Sequence, residues 1–234
     1  MHQIRITPEI LAAVRVQRGG SEHMFGTIDL ARTAHVVVDL QNGFMEEGAP
    51  VEVPVAREIV PNVNAISAAV REAGGVNVFL RMTVDAGSVQ SWSNWFRYFQ
   101  GGSAGMEAAF GRGRHHWQLW PTLDVRGSDL KVDKTRFGAF VPGASDLHRI
   151  LQERGIDTLI ITGTLSNCCC ESTARDAMQM NYKLIFVADA NAALTDAAHN
   201  ATLDNMCMLF ADVRSTAEVL DVVRTSARQP EPAE

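Results

Sequence analysis

The stretch Thr158-Leu-Ile-Ile-Thr-Gly-Thr-Leu-Ser-Asn-Cys-Cys-Cys-Glu-Ser-Thr-Ala-Arg-Asp176 changes character midway. Residues 158–162 are an apolar, β-branched run with no polar alternation, the pattern of a strand buried on both faces. Gly163 closes it, and residues 169–180 read as a helix. Strand, tight turn and helix form half of a βαβ unit, and the chain repeats that unit outward in both directions. Strand-like runs occupy 34–39, 76–80, 130–133, 183–188 and 208–211. Helical spacing occurs over 58–73, where Ile59, Val63, Ile66 and Val70 precede a Gly74-Gly75 stop. It recurs at Leu147, Ile150 and Leu151 up to Gly155, over 195–207 and over 215–226. Strands alternating with helices imply right-handed crossovers and a sheet covered on both faces. The expected fold is an α/β, three-layer αβα sandwich around a parallel six-stranded sheet, Rossmann-like, in order 3-2-1-4-5-6.

The chain has 234 residues, 46% hydrophobic and 21% charged, which excludes a disordered chain or a coiled coil. A formal net charge of -6 lacks the positive field that phosphate-backbone binding requires, so no nucleic acid partner is expected. No apolar run approaches a membrane span, and the start, MHQIRITPEI, lacks the apolar stretch of a secretion signal. Of four cysteines, Cys168, Cys169 and Cys170 are consecutive and Cys207 stands apart. That is no disulfide framework, and it predicts a reduced, cytoplasmic setting. Residues 1–32 read as an extension packed on the domain, with a short helix carrying Leu11, Val14 and Val16. Residues 33–227 form the domain and 228–234 a polar tail. The stretch 82–129 breaks the rhythm: it holds all four tryptophans (Trp92, Trp95, Trp117, Trp120) and weak periodicity, and reads as a lid or a subunit contact.

In open α/β sheets ligands bind beyond the carboxyl ends of the strands. Asp39 ends the first strand after three valines, where a carboxylate is half desolvated; it serves either chemistry or the cap of the following turn. Lys134 follows the third strand, with Arg136 as a competing cation, and Asp189 ends the fifth. The cysteine triplet falls at a helix start, where unpaired N–H groups and the helix dipole favour a thiolate or an oxyanion. Spacing alone does not choose among the three, and small buried cysteines also pack well. Gly111-Arg-Gly-Arg114 is no phosphate loop, and His115, His116, His148 and His199 show no zinc spacing. No Gly-x-Ser-x-Gly elbow is present.

Three segments, Val38-Asp-Leu-Gln-Asn-Gly-Phe44, Asp133-Lys-Thr-Arg-Phe-Gly-Ala-Phe140 and Gly163-Thr-Leu-Ser-Asn-Cys-Cys-Cys-Glu-Ser-Thr-Ala-Arg-Asp176, together resemble the isochorismatase-like cysteine hydrolase superfamily. The resemblance spans about residues 30–215 and keeps the order of the motifs. It implies a catalytic triad of Asp39, Lys134 and Cys169, with a cis peptide at Thr164–Leu165. It also implies an oxyanion hole from the N–H groups of Leu165 and Cys169. Phe44 matches an aromatic that lines the pocket, and Asn42, Trp92, Trp95 and Phe140 join it as candidate substrate-binding residues.

Within the superfamily the triplet and its Glu-Ser-Thr sequel are most similar to ureidoacrylate amidohydrolases. Two departures stand out. Arg81-Met-Thr-Val-Asp-Ala86 lacks the Asp-x-His metal motif of nicotinamidases, so no metal and no cofactor are expected. Val141-Pro-Gly-Ala-Ser145 is longer than in ureidoacrylate hydrolases. The resemblance therefore implies a hydrolase of a linear amide or ureido C–N bond, acting through a thioester, as a homodimer or homotetramer on a small-molecule amide. The rivals are vinyl ether hydrolysis, which needs no nucleophilic cysteine, and a non-catalytic binding module.

Overall fold

The computed structural model describes residues 1–228. Its strands are β1 (Thr33–Val38), β2 (Val76–Met82), β3 (Leu130–Lys134), β4 (Thr158–Thr164), β5 (Lys183–Ala192) and β6 (Asp212–Arg214). Its helices are α1 (Pro8–Gln17), α2 (Asn42–Met45), α3 (Val60–Glu72), α4 (Ala86–Ser91), α5 (Ser93–Phe96), α6 (Ala104–Phe110), α7 (Leu147–Glu153), α8 (Glu171–Gln179), α9 (Asp196–Asn205) and α10 (Thr216–Arg228). The strands form one sheet in the order β3-β2-β1-β4-β5-β6, every neighbouring pair parallel, as the sequence predicts.

Alternation of side chains along each strand divides the apolar residues between two layers. Val37, Phe79, Ile160 and Ile185 meet Val63, Ile66 and Val70 of α3 and Val219 and Val223 of α10. Val36, Val38, Leu80, Leu159 and Phe186 meet Leu147 and Leu151 of α7, Ala174 and Ala177 of α8, Leu203 of α9 and Val14 of α1. Each such fully buried side chain contributes about 1.5–3 kcal/mol, which is why two-sided burial holds the sheet. No helix among the described residues is long and apolar enough to cross a membrane.

Several sequence expectations shift. The run 208–211 is not the sixth strand: residues 206–210 form a wide, π-type helical turn after α9, and β6 follows at Asp212–Arg214. Its charged residues pair because residues 23–25 cover them. His23 Nδ1 and the amides of Met24 and Phe25 reach the Asp212 carboxylate, and Arg214 donates to Phe25 O. β5 runs past Asp189, whose Oδ1 accepts from the amide and hydroxyl of Thr216 and so caps α10. In the expected N-terminal helix Val14 is buried, but Val16 is 83% exposed. Residues 82–129 are not structureless; they contain α4, α5 and α6, and bury Phe96, Met106 and Phe110 in the α3 layer. Beyond Arg228 the expected polar tail lies outside the described residues.

The central pair sets up the site. Val38 is level with Leu80 on one side and Gly163 on the other, and Met82 is level with Lys134. The strand ends thus deliver Asp39, Lys134 and the turn after β4 to one place, beside the point where strand order reverses. Gly163 makes this possible. Its φ is +123°, and a Cβ there would stand 2.1 Å from Val38 O.

Candidate active site

Asp39 follows β1 directly and has a φ of +52°, a left-handed conformation that a non-glycine residue holds only where its surroundings enforce it. Two hydrogen bonds hold that backbone: its amide donates to Leu80 O at 3.2 Å, and its carbonyl accepts from the amide of Gln41 at 2.8 Å. The side chain turns inward, fully buried, with Oδ2 2.7 Å from Lys134 Nζ.

Lys134 is buried as completely. Its ammonium donates to Arg136 O at 3.0 Å and lies 3.9 Å from Met82 Sδ. Burial disfavours its charge, but Asp39 and Cys169 outweigh that and hold its pKa above the ordinary lysine value. Arg136 is no rival for this place. Its guanidinium donates to Ser91 Oγ and lies 5.0 Å from the Trp92 ring centroid.

The peptide Thr164–Leu165 is cis, as expected. Residues 166–170 then make a π-type turn ahead of α8, so the expected helix over 169–180 starts wider than an α-helix. Such wide turns are frequent at functional sites. The amides of Cys168 and Cys170 both donate to Leu165 O at 3.1 Å. Cys169 is 3% exposed and Cys170 fully buried, whereas Cys168 is partly exposed. The Cys169 thiol touches both Asp39 and Lys134. Of the three cysteines, Cys169 is the one whose thiol faces both the acid and the lysine.

Burial raises the Asp39 carboxyl above its usual range, against the pull of Lys134. Neither of its oxygens has a partner in good hydrogen-bond geometry, so the approaches of Lys134 and Cys169 are polar contacts, not well-directed bonds. The Cys169 thiol is pushed up by its hydrogen bond with Cys168 and by burial, and Lys134 alone acts the other way. Cys168 is held lower by the same bond. A carboxylate with raised proton affinity beside a protonated thiol and a fixed cation is suited to accept the thiol proton.

The predicted pocket residues divide. Phe44 is nearly buried and packs on Phe110, with centroids 5.1 Å apart. Asn42 donates to His115 O, while its Oδ1 is buried without a partner. Trp92 and Trp95 stack at 4.2 Å, and Phe137, three residues after Lys134, meets both edge-on. Phe140 is the exception. Its ring lies against Tyr182, which precedes β5, and His148 of α7, so it packs in the core shared with α7 and α8 and shows no contact with the Trp92–Trp95 pair. The loop before it is tied to α8, where the amide of Ala139 donates to Thr173 Oγ1.

Two contributors escaped the sequence reading. Gln41 is buried: its Oε1 accepts from the Met82 amide at 2.7 Å, and its Nε2 donates to Met82 O and Trp117 O. It ties the ends of β1 and β2 to the 82–129 insertion. Its place inside the Asp39 motif was the only signal. His199 is buried beneath the turn that carries the cysteine triplet, 2.7 Å from Ser166 Oγ, and stacks on His2 at 4.3 Å. The partners of His199 are too distant in sequence for any spacing to show.

Known proteins resemble this chain in sequence and in fold. The family model for the isochorismatase domain matches residues 33–218. The isochorismatase family protein YwoC of Bacillus subtilis is 32% identical over 84% of this chain and 97% of its own length. Ureidoacrylate amidohydrolase RutB of Variovorax paradoxus is 32% identical over 83% of this chain and 81% of its own. A cysteine hydrolase from Pseudomonas syringae pv. phaseolicola superposes with a TM-score of 0.78 at 27% identity, over 87% of this chain and 97% of its own. A matching domain across most of the chain, on the same sheet order and with an acid, a lysine and a cysteine brought to the switch point, makes this chain a member of the isochorismatase family.

Proposed function

We propose that the chain is a cysteine-dependent amidohydrolase that cleaves the C–N bond of a small linear amide or ureido compound. The observation that carries this reading is the enclosed contact of Asp39, Lys134 and Cys169 at the switch point. The kinship with a ureidoacrylate amidohydrolase and with a cysteine hydrolase supports it.

In this mechanism Asp39 takes the Cys169 proton, and the thiolate adds to the substrate carbonyl. Lys134 remains an ammonium and offsets the anion on either partner. The tetrahedral oxyanion is received by backbone amides. Those of Cys168 and Cys170 are already bonded to Leu165 O, which favours the amides of Leu165 and Cys169 for the role. Asp39 then returns the proton to the leaving nitrogen, the C–N bond breaks, and an amine or ammonia departs. Water, deprotonated by Asp39, attacks the thioester; the C–S bond breaks and the thiol is regenerated. Phe44, Asn42, Trp92 and Trp95 stand as the pocket walls in this reading. The near-complete burial of the three catalytic groups means that substrate enters only as that wall moves aside.

Vinyl ether hydrolysis would leave Cys169 without work, and its contact with the acid and the lysine favours amide chemistry. The test is ammonia release from a panel of small amides, ureides and carbamoyl amino acids. Activity is expected on at least one class, with a covalent acyl adduct on Cys169 seen by mass spectrometry. Cys169→Ala is expected to lose it by several orders of magnitude, while Cys168→Ala and Cys170→Ala keep most of it. Full activity in Cys169→Ala would overturn the mechanism.

A further inference from the structure

Outside the triad, one cluster of donors converges from two separate parts of the chain. His115 Nε2 lies 2.8 Å and His116 Nε2 3.6 Å from the same Glu46 oxygen. The candidate ligand atoms of Glu46, His115 and His116 all fall within 4.8 Å of one another. Adjacent histidines on a helix diverge and cannot share a ligand. Here residues 115–117 form a turn, and both rings face one carboxylate.

The backbone beneath these side chains is built, not incidental. The amides of Asn42 and Gly43 donate to Gln118 O and His116 O, each at 2.9 Å, and the amide of Trp120 donates to Leu40 O. Asn42 Nδ2 reaches His115 O, and Gln41 Nε2 reaches Trp117 O. Gly43 permits the close approach: a Cβ there would stand 2.5 Å from the Phe110 ring and 3.1 Å from His116 O. Two clamped segments thus fix the Cα positions of all three donors.

We propose that Glu46, His115 and His116 form a binding site for a borderline divalent cation of the zinc class. Two imidazole nitrogens and one carboxylate oxygen suit zinc, cobalt or nickel over calcium or magnesium, which prefer all-oxygen shells. Three protein ligands, two of them half-buried and one exposed, leave room for water in the remaining positions. A tetrahedral ion with ligand bonds near 2.1 Å needs its ligands roughly 3.4 Å apart, a small side-chain adjustment from the distances present. These ligands are not the Asp-x-His set that nicotinamidases carry after the second strand. The ion would act as a staple, holding the insertion at residues 115–116 to α2, the helix that follows Asp39.

Titration of the full chain with Co²⁺, followed by visible d–d absorption, tests the site without reference to turnover. One equivalent is expected to bind with the spectrum of nitrogen and oxygen ligation. Glu46→Gln, and separately His115→Gln with His116→Gln, are expected to weaken binding at least about tenfold, with unchanged circular dichroism. Zn²⁺ is expected to raise the Tm of the parent chain by several degrees and of neither variant. If the double variant fails to fold, His115→Gln alone, at an exposed position, carries the same comparison. No cobalt uptake at millimolar concentration, a thiolate-to-cobalt band, or equal uptake by parent and variants would each overturn the proposal.

Discussion

Two buried aspartates, at opposite ends of the sheet, each face a basic side chain and come to opposite states. Asp129 precedes β3 at the amino ends of the strands. Its Oδ1 accepts from Arg71 Nε and Asn77 Nδ2, and its Oδ2 from an Arg71 terminal nitrogen and the amide of Arg126. Burial opposes its charge, but these bonds outweigh burial and hold its pKa below the usual range. Asp39, at the carboxyl ends, has a lysine and a thiol in contact but no well-directed donor on either oxygen, and burial wins. The same residue type has its pKa lowered in one place and raised in the other. What separates them is the number of aimed donors, which decides whether burial or hydrogen bonding sets the proton affinity.

The largest expected effect breaks the pair at the reactive end. Asp39→Asn is expected to lower amide turnover at least about 10³-fold, and to cost about 3–5 kcal/mol in stability because Lys134 is left buried without its counter-charge. Steady-state kinetics and denaturant unfolding of the same preparation check both. At the other end, Asp129→Asn is expected to cost about 3 kcal/mol, a Tm loss of roughly 10 °C, while turnover per folded molecule stays within about twofold. A loss of turnover there matching that of Asp39→Asn would erase the distinction.

The last effect concerns two histidines held neutral by burial. His35, bonded to Thr162 and Ser67, is pushed down to about 3, and His199 to about 4. The unfolded chain protonates both near pH 6.5, so it takes up protons that the folded chain refuses. Stability therefore falls as pH drops from 6.5 toward 4, by about 1.4 kcal/mol per pH unit for each histidine. His199→Asn is expected to halve that part of the slope, as read from Tm between pH 6.5 and 4.5. Superimposable curves would remove His199 from the account.

What was legible in the sequence followed from local pattern. The strands β1 to β5 showed in runs of buried β-branched residues, and Asp39, Lys134 and the cysteine triplet showed as polar groups at the strand ends, with Cys169 singled out only by the family resemblance. What was hidden depends on contacts between distant segments. β6 was misplaced by a few residues because its Asp212 and Arg214 look like loop residues until residues 23–25 cover them. Glu46 and His115 stand 69 positions apart, so no spacing rule pairs them. Phe140 was harder to read because a motif gives proximity along the chain, and the turn after Phe137 carries its ring onto Tyr182 and His148.

Gly163 has one further consequence, for anyone who would evolve this protein. With a positive φ and the Val38 backbone within 3 Å of any added carbon, the position admits a single amino acid. In a library randomised along β4, residue 163 is expected to return only glycine, whatever substrate the selection rewards. The neighbours of Cys169 can then be searched for new specificity, while the join between the two central strands stays outside the reach of selection.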